Sequence, residues 1–218
     1  MTHEIKPPTA AKMAVRTAVI LFLFVVTFTG LLSGAYLWTL PTIEAAASEE
    51  KMKLINEVLP ADNYDNDLLK DAFQIAATPA LGQDGASTAY VARKGGRTSA
   101  VVLEAIAPDG YAGKIRLLIA LDADGALLGV RVTQHKETPG LGDYIEPKKD
   151  KNKERPWITQ FNGLKPAATE EREWKVKKDG GRFDSVAGAT VTPRAVIKAV
   201  RKAAVYVAEN RETLFASQ

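Results

Sequence analysis

The chain has 218 residues, a net charge of only +3, no cysteine and two histidines. The lack of cysteine excludes disulfides, thiolate chemistry and cysteine-ligated iron–sulfur clusters. Two histidines without clustered partners argue against a protein metal site, and the small, interspersed charge argues against nucleic-acid binding. Any redox role must therefore use an organic cofactor.

Residues 17–38 are almost uncharged and long enough to span a bilayer as one helix. Basic residues lie within 1–16 and glutamates follow the span, so the positive-inside rule predicts a cytoplasmic N-terminus. In a Gram-negative cell, the protein would then be single-pass in the inner membrane, with its main domain in the periplasm. A cleaved signal peptide is the alternative, with three alanines at 45–47 as its site, but signal apolar regions are shorter.

Residues 39–87 are predicted to form a helical, membrane-proximal segment. Apolar side chains recur at helical spacing over 43–59, and Pro60 ends this helix. A second, short helix is predicted around residues 68–73.

Between residues 88 and 134 the sequence alternates with a period of two and is rich in β-branched residues, which predicts two hairpins. The first has arms at 89–92 and 99–103, and the second has arms at 114–119 and 127–132. The acidic turn at 122–125 lacks the later glutamate and the glycine position of a calcium loop, so a plain turn is favoured.

A strand at 174–176 and a C-terminal helix are expected to complete an α+β domain over 88–210, with 211–218 as a tail. The lysine-rich loop 146–155 is expected on the surface. The apolar residues of 156–161 are expected either to fold on the core or to meet a neighbouring subunit.

The stretch Asp-Ser-Val-Ala-Gly-Ala-Thr at 184–190 ends on a hydroxyl directly before a predicted helix. Thr192 is the predicted N-cap and Pro193 the first helical residue. A phosphate near this helix start would meet unpaired N–H groups and the positive end of the helix dipole. Gly188 would leave room for a bulky group beside Thr190. A simple tight turn is the alternative.

This stretch resembles the flavinylation motif of the FMN-binding domain family found in Rnf and Na+-NQR complexes. The resemblance implies that Thr190 accepts FMN through a phosphoester bond formed by a flavin transferase, which recognises Asp184, Gly188 and Ala189. With the sequence that follows and the single anchor, the chain is most similar to the G-subunit family of Rnf complexes. Ala187 departs from the pattern, since many members carry Ser or Thr there.

A second loop, at 135–143, contains two glycines and a proline, and such a loop can bring its backbone close to a flat ligand. It is similar to the His-x-Glu-Thr-Pro-Gly-Leu-Gly stretch that helps to form the isoalloxazine pocket in the flavin-binding family. The resemblance implies five pocket residues: Glu137, Thr138, Gly140, Leu141 and Gly142. His135 is a weaker candidate, because a lone histidine at a strand end is more often structural.

The resemblance implies an electron-transfer subunit with one covalent FMN, within a translocase that couples ferredoxin–NAD electron transfer to ion movement. Its partners would be the membrane, the other membrane and redox subunits, and the flavin transferase during maturation. No catalytic residue and no turnover by the isolated chain are expected. The alternative is a non-redox periplasmic subunit that binds a ligand or partner, or only braces the complex.

Overall fold

A computed structural model describes residues 9–83 and 85–216. The chain divides into two compact units, with the boundary between Glu49 and Glu50. The first unit consists of most of helix α1 (Ala10–Val58), which continues into the second unit. Nearly all large apolar side chains described in this unit are exposed. Helix α1 is long enough to cross a membrane, and an 18-residue stretch of it has a mean hydropathy of 2.3. The predicted helix at 43–59 is part of this same continuous helix, which ends before Pro60 as expected.

The second unit contains a five-stranded antiparallel sheet whose strands neighbour each other in chain order. The strands are β1 (Ala72–Ile75), β2 (Ser87–Lys94), β3 (Arg97–Gly110), β4 (Gly113–Asp122) and β5 (Leu127–Gln134). After a region of short 3₁₀ turns, helices α2 (Val191–Glu209) and α3 (Arg211–Phe215) follow. The predicted α+β class, both hairpins and the C-terminal helix are confirmed. In the turn at 122–125, the Asp122 carboxylate accepts from the N–H groups of Asp124 and Ala126.

Two predicted elements are wrong. The short helix around residues 68–73 is replaced by a turn and the edge strand β1, because Phe73 pairs with Ala89 of β2. The predicted strand at 174–176 does not join the sheet. Val176 is buried but forms an isolated bridge with Phe183, so this segment packs on the core without extending the ladder.

The central strands β3 and β4 are buried on both faces, which explains their nearly continuous apolar sequence. One face packs against α2, and the other packs against the end of α1 through Ile55 and Val58. Gly129 of β5 lies under this helix end, where a Cβ would come within 2.6 Å of the Val58 carbonyl oxygen. The sheet is thus the middle layer of the second unit.

The segment between β5 and α2 carries a chain of aromatic rings in the core. Tyr144, Trp157, Phe161 and Phe183 contact one another in sequence, with ring centroids 4.7 to 5.8 Å apart. Of the two alternatives for 156–161, the structure shows the first, since Trp157, Ile158 and Phe161 are buried in the core. The Trp157 indole donates a 2.6 Å hydrogen bond to the Asp184 carbonyl, so the aromatic chain supports the turn that precedes α2.

Candidate functional site

The turn before α2 is built by Val186, Ala187, Gly188 and Ala189. The Ala189 N–H donates to the Val186 carbonyl at 3.0 Å, and Gly188 has φ +81°. This combination fits a type II turn, whose third residue requires a positive φ and therefore favours glycine. The turn delivers the chain to Thr190 immediately before the helix.

The Tyr144 phenol stabilises this turn by hydrogen bonds to its backbone. Its hydroxyl donates to the Ala189 carbonyl at 3.1 Å, and the Tyr144 hydroxyl oxygen accepts from the Val186 N–H at 3.5 Å. The side chain is buried, and burial raises the pKa of Tyr144 to about 12. The phenol is therefore a neutral hydrogen-bonding support across the physiological pH range.

We expect the free energy of unfolding to fall as the pH rises from 10 to 12, because the Tyr144 phenol ionises first in the unfolded chain, at its ordinary pKa of 10.0. Urea unfolding of the full chain in detergent should show a weaker fall for Tyr144→Phe than for the wild type in this window. Tyr206→Phe is the control and should follow the wild type. Parallel curves for Tyr144→Phe and the wild type would contradict the assignment.

Thr190 occupies the cap position of α2, half-buried, but its side chain caps no backbone N–H group. Its hydroxyl oxygen instead accepts a 3.1 Å hydrogen bond from the Arg194 guanidinium. Arg194 is held in turn by two bonds of 2.7 and 2.8 Å to the Asp179 carboxylate, and this hydrogen bonding lowers the pKa of Asp179. The Thr190 hydroxyl therefore lies next to both the Arg194 cation and the N-terminus of α2.

The predicted cap role of Thr192 is wrong. Thr192 is the second residue of α2 and Pro193 the third, and the Thr192 side chain is 2% exposed. Its hydroxyl donates to the Glu137 carboxylate, which is also buried. The other oxygen of Glu137 accepts from the Ala112 N–H at 3.0 Å. A buried carboxylate must be paired, and this need overrides the local capping preference.

The glycine loop lies beside this carboxylate. The N–H groups of Leu141 and Gly142 both donate to the Thr138 carbonyl at 3.1 Å, and Gly140 N–H donates to Asp143 at 2.8 Å. A Cβ on Gly142 would come within 2.9 Å of the Glu137 carboxylate, so only glycine allows this close packing. The loop and the start of α2 are therefore joined through Glu137.

His135 is held within the loop. Its Nδ1 accepts from the Glu137 N–H at 3.0 Å, so the Nε2–H is assigned as the donor to Glu146 at 2.8 Å. The side chain is 4% exposed. This arrangement agrees with a structural role.

The loop, the turn and the helix start enclose one cavity of about 320 Å³. Six residues from the sequence-based site set line it: Glu137, Thr138, Leu141, Gly142, Gly188 and Ala189. Thr190 lies between two lining residues in the chain, Ala189 and Val191, but is not itself one of the lining residues. Gly140 and His135 belong to the same loop but do not line the cavity.

Asp184 lies on a different surface. It borders a neighbouring polar groove of about 390 Å³, together with Ser185 and Val186. Its carboxylate forms a 2.5 Å ion pair with Lys177, and its N–H donates to Gln160 at 2.9 Å. Ser185, a rival hydroxyl within the motif, also faces this groove.

Three residues that line the cavity were not predicted as site residues: Tyr111, Val191 and Thr192, of which Thr192 was expected only as the helix cap. Tyr111 lies in the two-residue loop of the β3–β4 hairpin, where Gly110 pairs with Gly113. An aromatic residue flanked by small residues in a turn is a sequence signal that could have drawn attention to it. Val191 carries no such signal, since it is the first residue of an apolar helix pattern.

Two family models match parts of the chain. Residues 110–205 match the FMN-binding domain family, and residues 1–58 match the RnfG N-terminal region. The chain is 47% identical over 203 residues to the G subunit of the ion-translocating oxidoreductase complex of Pseudomonas aeruginosa (strain UCBPP-PA14), covering 93% of this chain and 92% of that protein. The corresponding G subunit of Escherichia coli (strain K12) is 45% identical, over 85% of this chain and 87% of that protein. The G subunit of Shewanella baltica (strain OS223) is 38% identical, over 92% of each chain. The chain therefore belongs to the G-subunit family of ion-translocating oxidoreductase complexes and carries an FMN-binding domain.

Proposed function

We propose that Thr190 carries one FMN as a covalent phosphoester and that the subunit relays electrons between other redox subunits of its complex. The observation that carries the proposal is the position of Thr190. It lies between two residues that line the cavity, and its hydroxyl contacts the Arg194 guanidinium at 3.1 Å. The rival hydroxyls are less suited, because Thr192 is buried against Glu137 and Ser185 faces the neighbouring groove.

The surroundings of Thr190 suit both the phosphate and the ring system of FMN. A phosphate on Thr190 would meet the Arg194 cation and the positive end of the α2 dipole. The adjoining cavity of about 320 Å³ has the size of a small ligand site and is lined mostly by apolar or small residues. Bound FMN supplies the capacity to accept and release electrons, while the protein supplies binding, orientation and electrostatics.

Attachment requires an activated flavin, because an alcohol and a free phosphate do not condense in water. In the proposed step, a bond forms between Thr190 Oγ and the FMN phosphorus. The diphosphate bond of a flavin dinucleotide breaks, a nucleoside monophosphate leaves, and the hydroxyl proton is released. A flavin transferase would catalyse this step by recognising Asp184, Gly188 and Ala189. The exposed Asp184 carboxylate and the neighbouring polar groove suit such recognition.

We further propose that residues 17–38 anchor the protein in the inner membrane, with residues 1–16 in the cytoplasm and the FMN-binding domain in the periplasm. Residues 39–87 would then be the membrane-proximal segment, 88–210 the FMN-binding domain and 211–218 a tail. A permanent ester suits this side of the membrane, since a weakly held flavin lost there could not readily be replaced. The complex would couple ferredoxin–NAD electron transfer to ion translocation.

The direct test is flavin fluorescence of the denatured full-length protein, produced with and without an active flavin transferase. We expect a fluorescent band only with the transferase, because a covalent ester survives denaturation whereas bound FMN is released. A dark band in both samples would refute the carrier proposal. The alternative of a non-redox subunit that binds a ligand or partner would then take its place.

A further inference from the structure

Among the described residues of the second unit, three of the five exposed large apolar side chains line the cavity. Tyr111 is 72% exposed, Leu141 is 50% exposed and Val191 is 44% exposed, and all three line it. Exposed apolar surface that is concentrated at one place marks a site where something else is bound. Tyr111 offers the largest such surface and the only aromatic ring among the lining residues.

The backbone of Tyr111 is held at the tip of the β3–β4 hairpin. The next residue, Ala112, donates its N–H to the buried Glu137 carboxylate at 3.0 Å. On the other side, Asp109 forms a 2.5 Å ion pair with Lys198 of α2. The hairpin tip is therefore fixed against the helix that carries Thr190, although the Tyr111 side chain is exposed.

We propose that Tyr111 is a flavin-contact residue whose ring packs against the isoalloxazine ring of the FMN on Thr190. The inference rests on the proposed function, because it requires FMN at Thr190. Flat aromatic systems gain contact area and favourable electrostatics when they stack with an offset, and tyrosine also keeps its hydroxyl in water. The ring would cover one side of the isoalloxazine and thereby exclude water from it.

This contact has an optical consequence. An excited flavin takes an electron from a phenol in contact with it, and the electron returns without emission of light. The native protein should therefore be weakly fluorescent, while denaturation separates the rings and restores fluorescence. The ratio of native to denatured fluorescence reports the contact, and the denatured value alone reports how much flavin is attached.

The experiment measures this ratio for full-length protein flavinylated in the cell and solubilised in detergent. Tyr111→Leu should raise the ratio severalfold, while Tyr111→Trp should keep it low because indole also donates an electron. Tyr64→Leu is the matched control, since Tyr64 packs on the opposite face of the sheet from α2, and its ratio should not change.

Two results would overturn the proposal in distinguishable ways. If the denatured samples are fluorescent but Tyr111→Leu leaves the ratio unchanged, the ring does not contact Tyr111, and the exposed tyrosine is free to meet another protein of the complex. If all denatured samples are dark despite active transferase, the proposed function fails and the flavin contact fails with it.

Discussion

Thr190→Ala is expected to abolish covalent flavin while the protein still folds. The Thr190 side chain is half-buried, and its hydroxyl makes one hydrogen bond, with the exposed guanidinium of Arg194. Its loss should therefore cost only about 1 kcal/mol of stability. The phosphoester, in contrast, has no other acceptor atom at this position, so flavin fluorescence of the denatured band should fall to background.

Two further variants make this result specific. Thr190→Ser keeps a hydroxyl at the same place and should retain detectable flavin, although the freer side chain is expected to react less efficiently. Ser185→Ala removes the neighbouring hydroxyl of the motif and should leave the band as bright as the wild type. A bright Thr190→Ala band, or a dark Ser185→Ala band, would place the ester elsewhere.

The sequence predicts well those elements whose conformation depends on residues close to each other in the chain. The two hairpins follow from period-two patterns around glycine turns, and α2 follows from apolar residues at helical spacing. The loop at 135–143 and the turn at 184–190 also lie where the resemblance implies, and six of their residues line one cavity.

The failures have long-range causes. Thr192 is a good cap by local rules, but its hydroxyl pairs with Glu137, which lies 55 positions earlier in the chain. Residues 72–75 form a strand because β2 offers an edge for pairing, which no local pattern reveals. Tyr111 reaches the cavity only because the β3–β4 hairpin folds over the start of α2. Such contacts depend on tertiary structure rather than on spacing.

Glu137 joins the tip of the β3–β4 hairpin to the start of α2 through its bonds to Ala112 and Thr192. Glu137→Leu is expected to destabilise the protein by about 3 kcal/mol. The substitution leaves the Ala112 N–H and the Thr192 hydroxyl without their shared acceptor in the interior. Each unpaired donor costs about 1 to 3 kcal/mol, and the removal of a buried charge partly offsets this loss. Glu137→Gln keeps one acceptor oxygen and should cost about 1 kcal/mol. Glu57→Gln, which changes an exposed ion pair with Arg131, is the control and should stay within about 0.5 kcal/mol of the wild type.

The measurement is urea unfolding of the full chain in detergent, produced without transferase so that flavin does not contribute. The buried Trp157 and Trp174 serve as fluorescent probes. A double-mutant cycle with Thr192→Val isolates the pair, because the hydroxyl that Glu137→Leu leaves unpaired is absent in the double variant. Its free-energy loss should be smaller than the sum of the single losses by about 1 kcal/mol or more. Additive losses would show that Glu137 and Thr192 act independently, and that the glycine loop and the start of α2 are held together by other contacts.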